Sequence, residues 1–123
     1  MPAVTLRPTR LALSLVLVLA LAGGTGAVAA ARKFFAYNET TATDFTGVYM
    51  APAGTTRWGP NQALNDPDKS LDMTERLVIT GIRPGHYDVR LVDRKGRACV
   101  MKGVDLTHER SFEIRDQDLT GCS

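Results

Sequence analysis

His86-Tyr87-Asp88-Val89-Arg90-Leu91-Val92-Asp93 is the stretch on which the fold turns. Tyr87, Val89 and Leu91 fall on one face and Asp88 and Arg90 on the other, the period of two that a half-buried strand requires. Asp93-Arg94-Lys95-Gly96 follows as a hairpin turn, its glycine free to take positive φ. Arg97 to Met101 then returns as the partner strand. Working outward, Phe34–Asn38, Asp44–Met50, Thr55–Trp58, Arg76–Thr80 and Ser111–Arg115 read as further short strands, bounded by turn residues. In the last of these Phe112 and Ile114 point inward and Glu113 outward. Seven short strands without an amphipathic helical stretch predict an all-β fold, a small antiparallel β-sandwich.

The N-terminus carries a different signal. Arg7 and Arg10 precede Leu11–Ala22, a stretch that is apolar save for Ser14, and Gly23-Gly24-Thr25-Gly26 ends it. Two A-x-A patterns follow, Ala27-Val28-Ala29 and Ala29-Ala30-Ala31. Charge, apolar core and small-residue cleavage site in that order describe a signal peptide over residues 1–31. The apolar stretch falls short of the roughly 20 residues that a spanning helix needs. The expectation is therefore a β-sandwich domain over 32–123, periplasmic or secreted, with no membrane span after cleavage.

Removing the signal changes the charge balance. The whole chain has a formal charge of +2, but all 13 acidic residues and 13 of the 15 Lys and Arg lie after residue 31. The mature chain is thus near neutral and offers no electrostatic footprint for nucleic acid. Arg94, Lys95 and Arg97 cluster, but around a glycine, as a solvated hairpin tip. About 92 residues make one small domain, which a covalent staple would help. Cys99 and Cys122 are the two cysteines, and an even count in an oxidising compartment predicts a disulfide that pins the tail to an inner strand.

Asn38, Val48-Tyr49-Met50-Ala51-Pro52, Trp58-Gly59 and Pro84-Gly85-His86-Tyr87-Asp88-Val89-Arg90-Leu91-Val92-Asp93 together resemble a group of small, uncharacterised exported bacterial proteins. Their pattern is a Trp-Gly turn and a Tyr-Asp-x-Arg-x-Val-Asp strand. The resemblance implies the sandwich scaffold and a Gram-negative periplasm.

The most specific local chemistry is the polar loop Asp66-Pro67-Asp68-Lys69-Ser70-Leu71-Asp72-Met73-Thr74-Glu75. Oxygen ligands at alternate positions suit a hard cation. The loop resembles the start of lanmodulin-type EF-hand loops, which implies Asp66, Asp68 and Ser70 on the first three ligand positions. It departs from that pattern at Leu71, where the loop needs glycine, and at Leu77, where it needs glutamate. A solvated Asp-Pro turn is the plainer reading. A second acidic group, Glu109, Glu113, Asp116 and Asp118, suits weak cation binding, contact with a partner protein or a solvated strand edge, the last being the plainer reading. The candidate metal ligands are thus Asp66, Asp68, Ser70, Asp72, Asp116 and Asp118, for calcium or a lanthanide ion.

Trp58 reads first as core filler between sheets and second as a stacking platform for a sugar. His86 and His108 read as solvated, and no serine stands in a G-x-S-x-G context. No catalytic residue is assigned. The expected function is a non-enzymatic periplasmic accessory that binds another protein or a small ligand through loops; the alternative is hard-cation binding. No cofactor is required.

Overall fold

The computed structural model describes residues 32–123; the signal-peptide reading of residues 1–31 lies outside the described residues. Six strands form, β1 (Phe34–Asn38), β2 (Phe45–Pro52), β3 (Arg76–Ile79), β4 (His86–Asp93), β5 (Ala98–Asp105) and β6 (Ser111–Ile114). They make two three-stranded sheets, ordered β3-β1-β6 and β2-β4-β5. One Cys99–Cys122 disulfide is present. The fold is all-β and sandwich-like, as the alternation predicts.

The hairpin at its centre forms as read. Gly96 sits at φ 84° and donates its N–H to the Asp93 carbonyl at 3.0 Å. The Asp93 carboxylate accepts the N–H groups of Lys95 and Arg97 at 2.8 and 2.9 Å, which fixes the turn from inside.

The core lies between the sheets. Phe34, Ala36, Leu77, Ile79, Phe112 and Ile114 come from one, and Val48, Met50, Val89, Leu91 and Val104 from the other. Phe45, Ala63, Leu71 and Leu106 close the ends. Within this core Asn38 is 1% exposed and saturated. Its amide donates to the Thr43 and Leu71 carbonyls at 2.8 and 3.0 Å, and its oxygen accepts from Thr40 N–H and hydroxyl at 3.0 and 2.7 Å. One buried side chain thereby fixes the β1–β2 connection and the Leu71 segment, at no cost in unpaired groups.

Several expectations are corrected. Thr55–Trp58 is not a strand, so six form and not seven. The segment instead closes on itself through Thr55 N–H to Pro52 O and Trp58 N–H to Thr56 O, and Gly59 N–H returns to Met50 O. β1 pairs with β6 in parallel, the exception to an otherwise antiparallel ladder. β5 is an edge strand, so the disulfide pins the tail to an edge and not to an inner strand. Trp58 is half-buried and stands outside the core cluster.

Asp88 departs from the alternation in burial. It lies on the outer face, as its position predicts, yet is only 6% exposed. Its two carboxylate oxygens accept Gly54 N–H at 3.0 Å and Gly103 N–H at 3.1 Å. Gly103, at φ 70°, lies where the β4–β5 register shifts. The carboxylate therefore ties the turn after β2 to the bulge in β5.

The open edge of β2 is covered by the Leu71 backbone at Phe45, by Gly59 N–H at Met50, and between them by one side chain. Asn61 accepts Val48 N–H and Ala63 N–H at 3.0 Å each and donates to Thr46 O at 2.9 Å, standing in for a neighbouring strand. Gln62 and Asn65, on the 3-10 turn Gln62–Asn65, do the same for β3 through Thr80 and Val78. Replacing Asn61 with Ala strands two carbonyl or amide groups of β2 and one of the 3-10 turn. We expect a loss of about 2–3 kcal/mol in urea unfolding; a loss under about 0.5 kcal/mol would show that water covers this edge equally well.

Candidate functional site

The polar loop does not assemble as an EF-hand start. Asp66 uses one carboxylate oxygen to accept Asp68 N–H at 2.8 Å, a local Asx turn. Ser70 is 2% exposed and donates its hydroxyl to Asp72 at 2.6 Å. Lys69 stands at φ 57° and Thr74 at φ 67°, and the Glu75 carboxylate turns back to accept Asp72 N–H at 3.1 Å. The group brought together is Asp68, Asp72 and Glu75, with one carboxylate oxygen from each within 4.8 Å of the others. Of the four loop ligands read from sequence, Asp68 and Asp72 meet; Asp66 and Ser70 serve the loop itself.

This cluster already has a cation beside it. Arg94, from the β4–β5 hairpin, donates to Asp72 at 3.0 Å and to the Ser70 hydroxyl at 3.2 Å, and stands 3.4 Å from Asp44. The hairpin tip read as merely solvated thus supplies the loop's counter-ion. Lys95 is exposed, and Arg97 pairs with Asp93 at 3.5 Å.

Asp116 and Asp118 lie elsewhere and hold structure. Asp116 accepts the Thr41 hydroxyl at 2.7 Å and Thr41 N–H at 3.0 Å, tying the C-terminal 3-10 turn to the β1–β2 connection. The Thr41 hydroxyl, and after it the Thr41 N–H, holds the Asp116 carboxyl below its ordinary value. Asp118 accepts Arg115 N–H at 2.8 Å. Asp105 is likewise lowered, first by the Thr107 hydroxyl and then by the Thr107 N–H, with smaller help from His86 and His108. Both histidines are exposed, and His86 faces the Asp105 carboxylate at 4.0 Å. The Thr107 hydroxyl donates to that carboxylate at 2.6 Å, an arrangement that orders the loop and activates no nucleophile.

A larger recess opens on the other side of the molecule. It has a volume of about 690 Å³ and is bounded by the Gly54–Trp58 segment, by Val100–Lys102 of β5, and by the tail around Gln117–Gly121. The tail reaches it through a short added strand. Ala98 and Ser123 exchange two hydrogen bonds at 3.0 and 2.8 Å, which places Cys99 opposite Cys122 in the next, closer pair. Their Cα atoms are 4.0 Å apart. Such a bridge, closing a sequence separation of 23, contributes about 3 kcal/mol. At Gly121, φ 57°, the tail leaves the edge, and the groove begins there.

Trp58 lines this groove and Met101 forms part of its floor. Sequence reading placed Trp58 first in the core and second as a stacking platform, named Asp118 of the tail only as a metal ligand, and named none of Val100–Lys102. The available signal was the cysteine pair: joining residues 99 and 122 brings 117–121 beside 100–102. Glu75 was likewise missed as a cluster member, because its approach follows a positive φ at Thr74, a residue that gives no such signal in sequence.

Among the described residues no helix is long and apolar enough to cross a membrane. Neither a protein-family model, nor a curated protein, nor a solved structure matches the chain.

Two outcomes follow from these contacts. Folding favours the charged forms of Asp116 and Asp105. Their contribution is complete above the unfolded carboxyl value near about 4 and is lost as pH falls through the lowered folded values. Thr41→Val should raise the pKa of Asp116, and Thr107→Val that of Asp105, in carboxyl-carbon NMR titrations. An unmoved value would show that the hydroxyl is not the cause. Second, if Arg94 is the resident counter-ion, Arg94→Gln should make the melting temperature more responsive to calcium than that of the native chain. Equal responses would remove Arg94 from that role.

Proposed function

We propose that the chain is an exported, non-enzymatic accessory protein of the bacterial periplasm, which binds a protein partner or a small ligand in the groove beside Trp58. The observation that carries this reading is the convergence of three segments distant in sequence on one recess. There Trp58 and Val100 supply apolar surface, while Thr55, Thr56, Gln117 and Thr120 supply polar groups. Binding sites are commonly apolar recesses with a few convergent polar groups. The disulfide is compatible with an oxidising compartment, and it holds the tail that forms one wall.

A second reading has its own observation. The oxygens of Asp68, Asp72 and Glu75 within 4.8 Å of one another favour a hard cation, calcium or a lanthanide. Arg94 already holds the Asp72 carboxylate of this cluster, and so the groove is the better supported site.

Trp58 is the chain's one tryptophan, so its fluorescence reports on the groove without labelling. A ligand of this site should shift or quench that emission, and Trp58→Ala should weaken its binding about tenfold or more. A ligand that leaves the emission unchanged and binds Trp58→Ala as well as the native chain would place the site elsewhere.

A further inference from the structure

The direction of the β5 backbone groups can be read from its neighbours. Ala98 turns its N–H and C=O outward to Ser123, so Cys99 and Met101 turn theirs inward to Leu91 and Val89. The opposite edge has the same parity: Val48 N–H and Met50 C=O face away from β4, towards Asn61 and Gly59. By this alternation Val100 presents both backbone groups outward, into the groove, and Lys102 follows on the same side.

Among the described residues nothing pairs with them. The edges of β2 and β3 are occupied by the side-chain amides of Asn61, Gln62 and Asn65. The edge of β6 is only four residues long and is dressed by the Arg115 ion pairs with Glu39 and Glu113. The β5 edge is different: its first residue is paired by the tail, and the next positions lie open between two walls.

We propose that this edge binds an extended peptide segment of a partner protein by strand addition, its backbone pairing with Val100 and Lys102. The inference rests on the groove being the binding site and names the class of its ligand. Backbone N–H and C=O groups at strand spacing are met by another extended backbone, and the Ala98–Ser123 bridge is the same interaction already made once on this edge. The continuity with that bridge sets the position of the added strand, directly beyond the point where the tail departs at Gly121.

Charge narrows the occupant further. Asp88 is buried beneath the groove with both oxygens satisfied by Gly54 and Gly103. Lys102 is exposed and lines the groove from β5, and Asp118 lines it from the tail. Side chains of an added strand alternate between its two faces. A segment with neighbouring residues of opposite sign, the acid towards Lys102 and the base towards Asp118, therefore complements the site.

The test uses the mature, disulfide-intact protein. In the free protein the amide protons of Val100 and Lys102 should exchange rapidly with deuterium, while those of Cys99 and Met101 are protected; protection at Val100 without ligand would overturn the proposal. A phage-displayed library of linear heptapeptides is then panned against the protein. Enriched peptides should carry adjacent opposite charges, shift Trp58 emission and protect Val100 and Lys102 from exchange. Methylating alternate backbone nitrogens of a selected peptide should weaken binding about tenfold or more. Val100→Pro, which removes an outward N–H and no ladder bond, should do the same. Selected peptides that shift Trp58 but tolerate both changes would leave the groove as the site and refute strand addition. Soluble oligosaccharides that shift Trp58 when no peptide is enriched would do likewise. If neither class shifts Trp58, the groove reading fails as well.

Discussion

Two sheets of three strands have four open edges, and a chain this small must deal with all of them while burying one face of each sheet. Unpaired edges are templates for unwanted association, and unpaired backbone groups at half-buried positions cost stability. The molecule uses three solutions. Short amide side chains, Asn61, Gln62 and Asn65, imitate a strand along β2 and β3. Charged side chains guard β6. The C-terminal residues pair with the start of β5, and a disulfide holds them there. Everything else in the fold, including the long polar connection between β2 and β3, is arranged around these edges. That connection looks like a loop in sequence. In space it is a substitute strand.

The same economy shapes the groove. Its floor is the edge left uncovered, one wall is the tail that covers the adjoining part, and the other is the turn after β2. Asp88 anchors that turn to the bulge of β5 through two glycine N–H groups. Glycine at 103, with φ 70°, gives the backbone the bend that brings its amide to the carboxylate. The acidic loop on the far side is a different kind of feature. Its carboxylates are shared with Arg94, Ser70 and backbone amides, so its first duty is to join the hairpin to the polar connection.

Much of the fold was legible in the sequence because alternation and turn chemistry are local. β1 and β4 have the bounds their patterns indicate, and the inward sets Phe112 with Ile114 and Val89 with Leu91 are buried as read. The Asp93–Gly96 turn follows from one glycine and one carboxylate. What was not legible depends on pairing over distance. The strand-like composition of Thr55–Trp58 is overridden by turn bonds, Thr55 N–H to Pro52 O and Trp58 N–H to Thr56 O. Asp88 reads as an ordinary solvent-facing residue until Gly54 and Gly103 are known to close over it. The acidic loop was legible only in part: alternate oxygens suggest a ligand set, while in the fold Asp66 and Ser70 make local bonds and Glu75 joins Asp68 and Asp72. Arg94 could not be assigned to that loop without knowing which hairpin faces it.

The parallel pairing of β1 with β6 bears on when the fold can complete. β1 is the middle strand of its sheet, and Phe35 lies opposite Ser111, a separation of 111 − 35 = 76 residues. Closing so long a span precedes any gain from the contact, and topologies of this kind fold slowly. A chain emerging from its N-terminal end cannot finish this sheet until Ser111–Ile114 is available. Any length that lacks β6 leaves one side of β1 bare, so partial chains stay open and the last strand acts as the clasp. Completion of this sheet is thereby deferred until the last strand is available.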